Sequence, residues 1–138
     1  DITGLFGLGW LAAHGRYPQR EMAEIYVSHI AGIFRTVRFG VEEPHARGEI
    51  MEFNYLSERG AIVFDPATQR YRVDMAAMPQ AIAALAKELL QQEASGDRAR
   101  AERWFAKYGV MPAQLATALE RVRDVPVDVD PLFDFPDV

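Results

Sequence analysis

Cysteine is absent from the 138 residues, which excludes disulfide frameworks, thiolate zinc sites and a cysteine nucleophile. A reducing compartment is compatible with that absence, and the cytoplasm is the expected location. No apolar run approaches the ~20 residues of a bilayer span, so no membrane partner is expected. Positive charge is not in excess either: 15 Lys and Arg against 20 Asp and Glu give a net charge of -5. Nucleic acid, which needs a basic patch, is therefore not an expected partner. Internal repeats and low-complexity stretches are missing. So are an initiator Met and a charged leader. The chain opens at Asp1 inside an apolar pattern, which makes a fragment of something larger the expectation.

Complete catalytic motifs are also missing. There is no HExxH, no His pair at i and i+4, no EF-hand, no GxSxG and no Walker or kinase element. Of a Nudix box only Arg20-Glu21 is present. His14, His29 and His45 are too scattered to suggest a metal site, so no metal is expected on this chain.

What is present is ordinary for a globular domain: 49% hydrophobic and 25% charged residues in a length that buries a core unaided. The charge is uneven. Asp124, Asp128, Asp130, Asp134 and Asp137 fall in the last fifteen residues, where there is no Lys or Arg. With three prolines and no helical period, residues 124–138 are expected to be an extended acidic tail behind a neutral body, residues 1–123.

The body reads as mainly α, a bundle-like fragment of about six helices with one small β-hairpin over residues 61–73. "DITGLFGLGWLAAHG" is apolar on nearly every side of a helical wheel, so a buried helix is expected, its glycines admitting close neighbours. Its likeness to a phosphate loop is superficial, because no strand precedes it and the glycine order is reversed. Pro18 opens a long amphipathic helix with Met22, Ile25, Tyr26, His29, Ile33, Phe34 and Val37 inward, closed by Gly40. His29 on that stripe reads as a core histidine with one hydrogen-bond partner. Pro44 opens the next helix, with Ile50, Phe53 and Leu56 facing the core and Gly60 as its stop. Asp74 is the expected N-cap of a helix reaching Ala94, Asp97 that of another reaching Tyr108 with Trp104 and Phe105 packed inward, and Pro112 opens the last.

His45 has the most suggestive setting. It falls in the first turn of a helix beside Glu42, Glu43, Arg47 and Glu49, where an imidazole can donate one hydrogen bond to a substrate oxygen while accepting another. A solvated helix start is the plainer reading of the same cluster.

The segments "DITGLFGLGWLAAHG", "YVSHIAGIFRTVRFGVEEPHARGEIMEFNYLSERGAI", "FDPATQRYRVD", "AKYGVMP" and "DVPVDVDPLF" together resemble the C-terminal part of bacterial members of the dipeptidyl peptidase III family of zinc peptidases. The resemblance implies a portion of a helical catalytic lobe in which zinc is held by an HExxGH motif and by a glutamate of an EExxAD-like motif. Asp1 matches the last acid of that second motif. This implies that it supports a zinc-binding histidine, and that the ligands themselves precede this chain, which alone would bind no zinc and be inactive. His45 matches a family histidine that faces the substrate and stabilises the transition state. Eukaryotic members place an Arg four residues after it; here Glu49 stands there, and Arg47, two residues on, is left as the substrate-binding arginine. The implied partners are the N-terminal remainder of the same protein and a peptide substrate. Some relatives are fused to a Nudix domain, so a Nudix label can attach without Nudix residues. The competing expectation is a non-enzymatic packing module, with an exposed first helix inviting oligomerisation.

Overall fold

A computed structural model describes residues 2–38 and 40–126. Asp1 and residues 127–138, most of the expected tail, lie outside the described residues.

Six helices and one hairpin follow in order: α1 (Ile2–Ala13), a single 3₁₀ turn (Gln19–Glu21), α2 (Met22–Val37), α3 (Pro44–Glu58), β1 (Ile62–Asp65), β2 (Arg70–Val73), α4 (Met78–Ser95), α5 (Arg98–Tyr108) and α6 (Ala113–Glu120). The expected fold class is the one observed.

α3 is the central element, packing against α2, α4, α5 and β1, while α1 lies on α4. The sequence of α3 explains this position. Ala46, Ile50 and Phe53 form one stripe at helical spacing, and Met51, Tyr55 and Leu56 widen it around most of the helix, all of them buried. A helix with so broad an apolar girth is stable only with neighbours on several sides. Each large side chain so enclosed contributes ~1.5–3 kcal/mol. α2 supplies the matching stripe of Met22, Tyr26, Ile30, Ile33 and Val37.

The hairpin is antiparallel, pairing Ile62 with Val73, Val63 with Arg72, Phe64 with Tyr71 and Asp65 with Arg70. Asp65 organises its turn, accepting hydrogen bonds from Ala67 N at 2.9 Å and the Thr68 hydroxyl at 2.7 Å. The hairpin docks on the helices through Tyr71, whose ring centroid lies 5.5 Å from that of Phe34 on α2 and 5.3 Å from that of Phe53 on α3. These edge-on contacts supply the support that an isolated two-stranded ribbon lacks.

Three local expectations are corrected. α4 begins at Met78, four residues after Asp74, with Ala77 as its N-cap. Pro79 is compatible only with a first turn, so the helix starts beside it; the Asp74 carboxylate instead closes the preceding turn, accepting from Ala76 N and Ala77 N at 3.0 Å each. α1 is not enclosed: Ile2, Leu5 and Ala12 are buried, but Phe6, Trp10 and Leu11 are 44%, 52% and 37% exposed. Among the described residues no backbone closes on its glycines: Gly4 and Gly7 face open space, and Gly9 meets only the Tyr26 hydroxyl, 3.4 Å from where a Cβ would be. Phe105 is not packed inward either, for it is 46% exposed while Trp104 joins Tyr55 and Tyr108.

Leu56, fully buried in α3, and Leu90, on the exposed side of α4, provide a paired test. Leu56→Ala is expected to lower unfolding free energy by ~2–5 kcal/mol and Leu90→Ala by less than ~0.5 kcal/mol, measured by denaturant titration.

Candidate functional site

The N-terminal half of α3 carries the polar groups of the molecule's most chemically varied groove. Glu43 is the N-cap, with extended backbone and its carboxylate accepting from Ala46 N at 2.9 Å. Pro44 fills the first helical position, where its missing N–H costs nothing. His45 follows, and Glu49 and Glu52 come one and two turns later on the same face.

These three side chains line a groove of about 370 Å³ between α3, α4 and α5. Leu85, Leu89 and Gln92 of α4 form one wall, Trp104 and Phe105 of α5 another, and Ile2 closes an end. The α5 wall is held by Asn54 of α3, whose Nδ2 donates to Tyr108 O at 2.7 Å and Val110 O at 2.8 Å, satisfying carbonyls at the end of that helix. At its other end Asp97 caps α5, accepting from Arg100 N at 2.9 Å, and Arg100 bonds Glu88 of α4 at 2.8 Å.

Glu52 is 8% exposed, the one buried charged residue among the described residues. His29 Nε2 of α2 donates to its Oε1. That is the single partner expected for His29, although the sequence did not identify which residue it would be. Glu49 is less well served. Its Oε2 is buried without a hydrogen-bond partner, as is Nε1 of Trp104. Burial, reinforced by the negative charge of Glu52, holds the Glu49 carboxyl above the usual range, against the opposing pull of a Thr36 hydrogen bond and the imidazoles of His29 and His45.

Of the two site residues the sequence singled out within the described part, His45 is in this groove and Arg47 is not. Arg47 lines an adjoining hollow with Glu42, Glu102 and Ala106, its guanidinium 5.8 Å from the centre of the Phe105 ring. Pro44, Gly48 and Phe105 border both spaces. Asp1 lies outside the described residues. Among the described residues no group of three or more His, Asp or Glu side chains is arranged to hold a metal ion, and no helix is long and apolar enough to cross a membrane.

Two solved structures share this architecture at residue-level similarity. The dipeptidyl peptidase III of Caldithrix abyssi superposes with a TM-score of 0.91 at 36% identity, over 96% of this chain and 25% of that one. The chain is similar, over nearly all its length, to part of a dipeptidyl peptidase III. The corresponding enzyme of Corallococcus sp. strain EGB gives a TM-score of 0.87 at 32% identity, over 96% of this chain and 24% of that one. In sequence, a protein of Arabidopsis thaliana named Nudix hydrolase 3 is 38% identical over 135 residues, 96% of this chain but 17% of that protein. The chain thus spans a quarter or less of each protein it matches. No family model matches it.

Sequence reasoning missed Glu52, Gln92 and Trp104 as groove residues. For Glu52 the signal was available, since positions 45, 49 and 52 share a helix face. For the other two it was not, because their role depends on how α4 and α5 lean on α3.

The raised Glu49 carboxyl has a consequence for stability with a definite sign. At a pH below the ordinary carboxylate value it is protonated in both folded and unfolded chains and contributes nothing. As pH rises from there through the folded-state value, the unfolded chain ionises more readily and stability is lost. Glu49→Gln is therefore expected to melt at a higher temperature than the parent at neutral pH, the difference closing as pH falls to about 4. Melting curves across pH 4–8 measure it; a parent that gains on the variant with rising pH contradicts the assignment.

Proposed function

We propose that this chain is the C-terminal part of the catalytic lobe of a zinc-dependent peptidase of dipeptidyl-peptidase type, with His45 as the residue that faces the peptide and stabilises the oxyanion forming at the scissile carbonyl. The observation that carries this reading is the likeness, at 36% identity and a TM-score of 0.91, to a dipeptidyl peptidase III. The placement of His45 supports it. The imidazole stands exposed at the mouth of a groove lined by both apolar and hydrogen-bonding groups, as a peptide site requires.

Zinc enters this proposal through the family resemblance, held by residues outside this chain, with Asp1 as the neighbour that would orient one of its histidines. The work left to this chain is binding and orientation. Pro44 and the Glu43 cap fix where the first turn of α3 starts and hence where His45 stands. Arg47, in the adjoining hollow, is the group proposed to meet an anionic part of a bound peptide.

The remainder of the same polypeptide is the proposed partner of α1, whose row of Phe6, Trp10 and Leu11 is too apolar to be left to water in a stable assembly. That row is also the observation favouring the second reading, a module that packs on another chain without chemistry of its own. Nudix hydrolysis is not part of the proposal, because the chain carries only Arg20-Glu21 of that box. The cytoplasm remains the proposed location.

The two readings separate on the full-length protein. Under the first, it carries an HExxGH motif upstream of Asp1, contains zinc by metal analysis and releases dipeptides from dipeptidyl arylamides. His45→Ala is expected to lower kcat roughly 100-fold with a smaller change in KM. Full turnover by that variant rules out the role given to His45, and the absence of both motif and metal rules out the peptidase.

A further inference from the structure

Among the described residues, the groove beside His45 is lined by two carboxylates and no Lys or Arg. Glu49 is the one of the two with a buried oxygen that no group donates to. Glu52 is engaged by His29, whereas Oε2 of Glu49 has no partner and little access to water. The nearest cation singled out by the sequence, Arg47, belongs to a separate hollow on the other side of Phe105. The two spaces therefore differ in charge: one carries two carboxylates, the other a guanidinium beside Glu42 and Glu102.

We propose that Glu49 is a specificity-determining residue of the His45 groove, admitting the part of a peptide that presents an N–H donor, amide or ammonium, and rejecting one that presents a carboxylate. This rests on the peptidase reading above and deepens it. A carboxylate entering the groove meets the like charges of Glu49 and Glu52 with no Lys or Arg among the described lining residues, the groove's donors being His45 and the unpaired indole N–H of Trp104, whereas an N–H donor meets the unpaired Oε2 of Glu49. Discrimination of this kind comes as much from the repulsive element as from the attractive one. The raised carboxyl of Glu49 agrees with this arrangement: a group held back from ionising by burial gains most from a bound donor.

The test uses the full-length protein and a set of otherwise identical peptides in which each position in turn is Gln, Glu or Lys. The parent is expected to show one position at which Glu lowers kcat/KM by about tenfold or more relative to Gln, a factor that corresponds to 1.4 kcal/mol. Glu49→Gln should abolish that difference, and Glu49→Arg should reverse it. Circular dichroism melts confirm that each variant is folded, with Glu49→Asp as the conservative control that retains the discrimination. Calorimetric binding of the same peptides with the scissile amide reduced to an uncleavable amine gives a readout independent of turnover. If no peptide or arylamide is cleaved but binding still discriminates Glu from Gln through Glu49, the peptidase reading fails and the assignment of Glu49 stands. If peptides are cleaved with no such position, or with a discrimination that Glu49→Gln leaves intact, the assignment is overturned and the peptidase reading survives. Neither cleavage nor Glu49-dependent binding overturns both.

Discussion

The contact between His29 and Glu52 constrains much of the rest of the structure. A carboxylate as buried as Glu52 is costly unless something donates to it, and the donor here comes from a different helix. α2 can satisfy it only by lying along α3 with its Tyr26 to Ile33 face inward, and that is also the face that buries its apolar stripe. Polar and apolar requirements thus select the same packing. Breaking the pair by removing only the imidazole would leave the acid stranded, so the pair specifies the arrangement more than it adds net stability.

With α2 fixed on one side of α3, the hairpin and α5 are placed by aromatic contacts. Tyr71 seats β2 against Phe34 and Phe53, and Tyr55, Trp104 and Tyr108 join α5 to the other side. Asn54 sits between these two sets and donates its amide to the carbonyl of Tyr108, the last residue of α5, and to that of Val110 just beyond it. One side chain therefore ties α3 to the C-terminal end of the helix on which Trp104 and Phe105 stand.

The fold was legible because its signals are local. Pro44 and Asp97 mark helix starts through caps that the structure realises, and Gly96 ends α4 in the left-handed conformation that favours glycine. The errors arose where two local signals compete or where a neighbour decides. At Asp74 a good capping residue lies too far ahead of Pro79, and the proline prevails. At α1 an all-apolar wheel suggested burial on every side, but periodicity says only that a surface seeks cover, not which residues provide it. The candidate site was half legible. The helix-start setting of His45 could be read from Glu43-Pro44-His45, while the separation of Arg47 from it by Phe105 depends on the lean of α5, which leaves no mark on α3.

The central helix divides its work along its length. From Phe53 onward α3 is core: Phe53 and Leu56 are enclosed, and Tyr55 is buried in an aromatic cluster. Before it, His45, Glu49 and Glu52 turn one face to the groove, with Met51 also lining it, while Ala46 and Ile50 are buried in the core. Ala46 shows why the two halves are compatible. It is small and fully buried in the first turn, so the helix can be anchored at the very residue after His45 without a bulky side chain tilting that turn. The imidazole thus stands in the first turn of a packed helix and not in a loop. The unpaired Oε2 of Glu49 is tolerated one turn later because the packed half of α3 supplies the stability that offsets one poorly solvated oxygen.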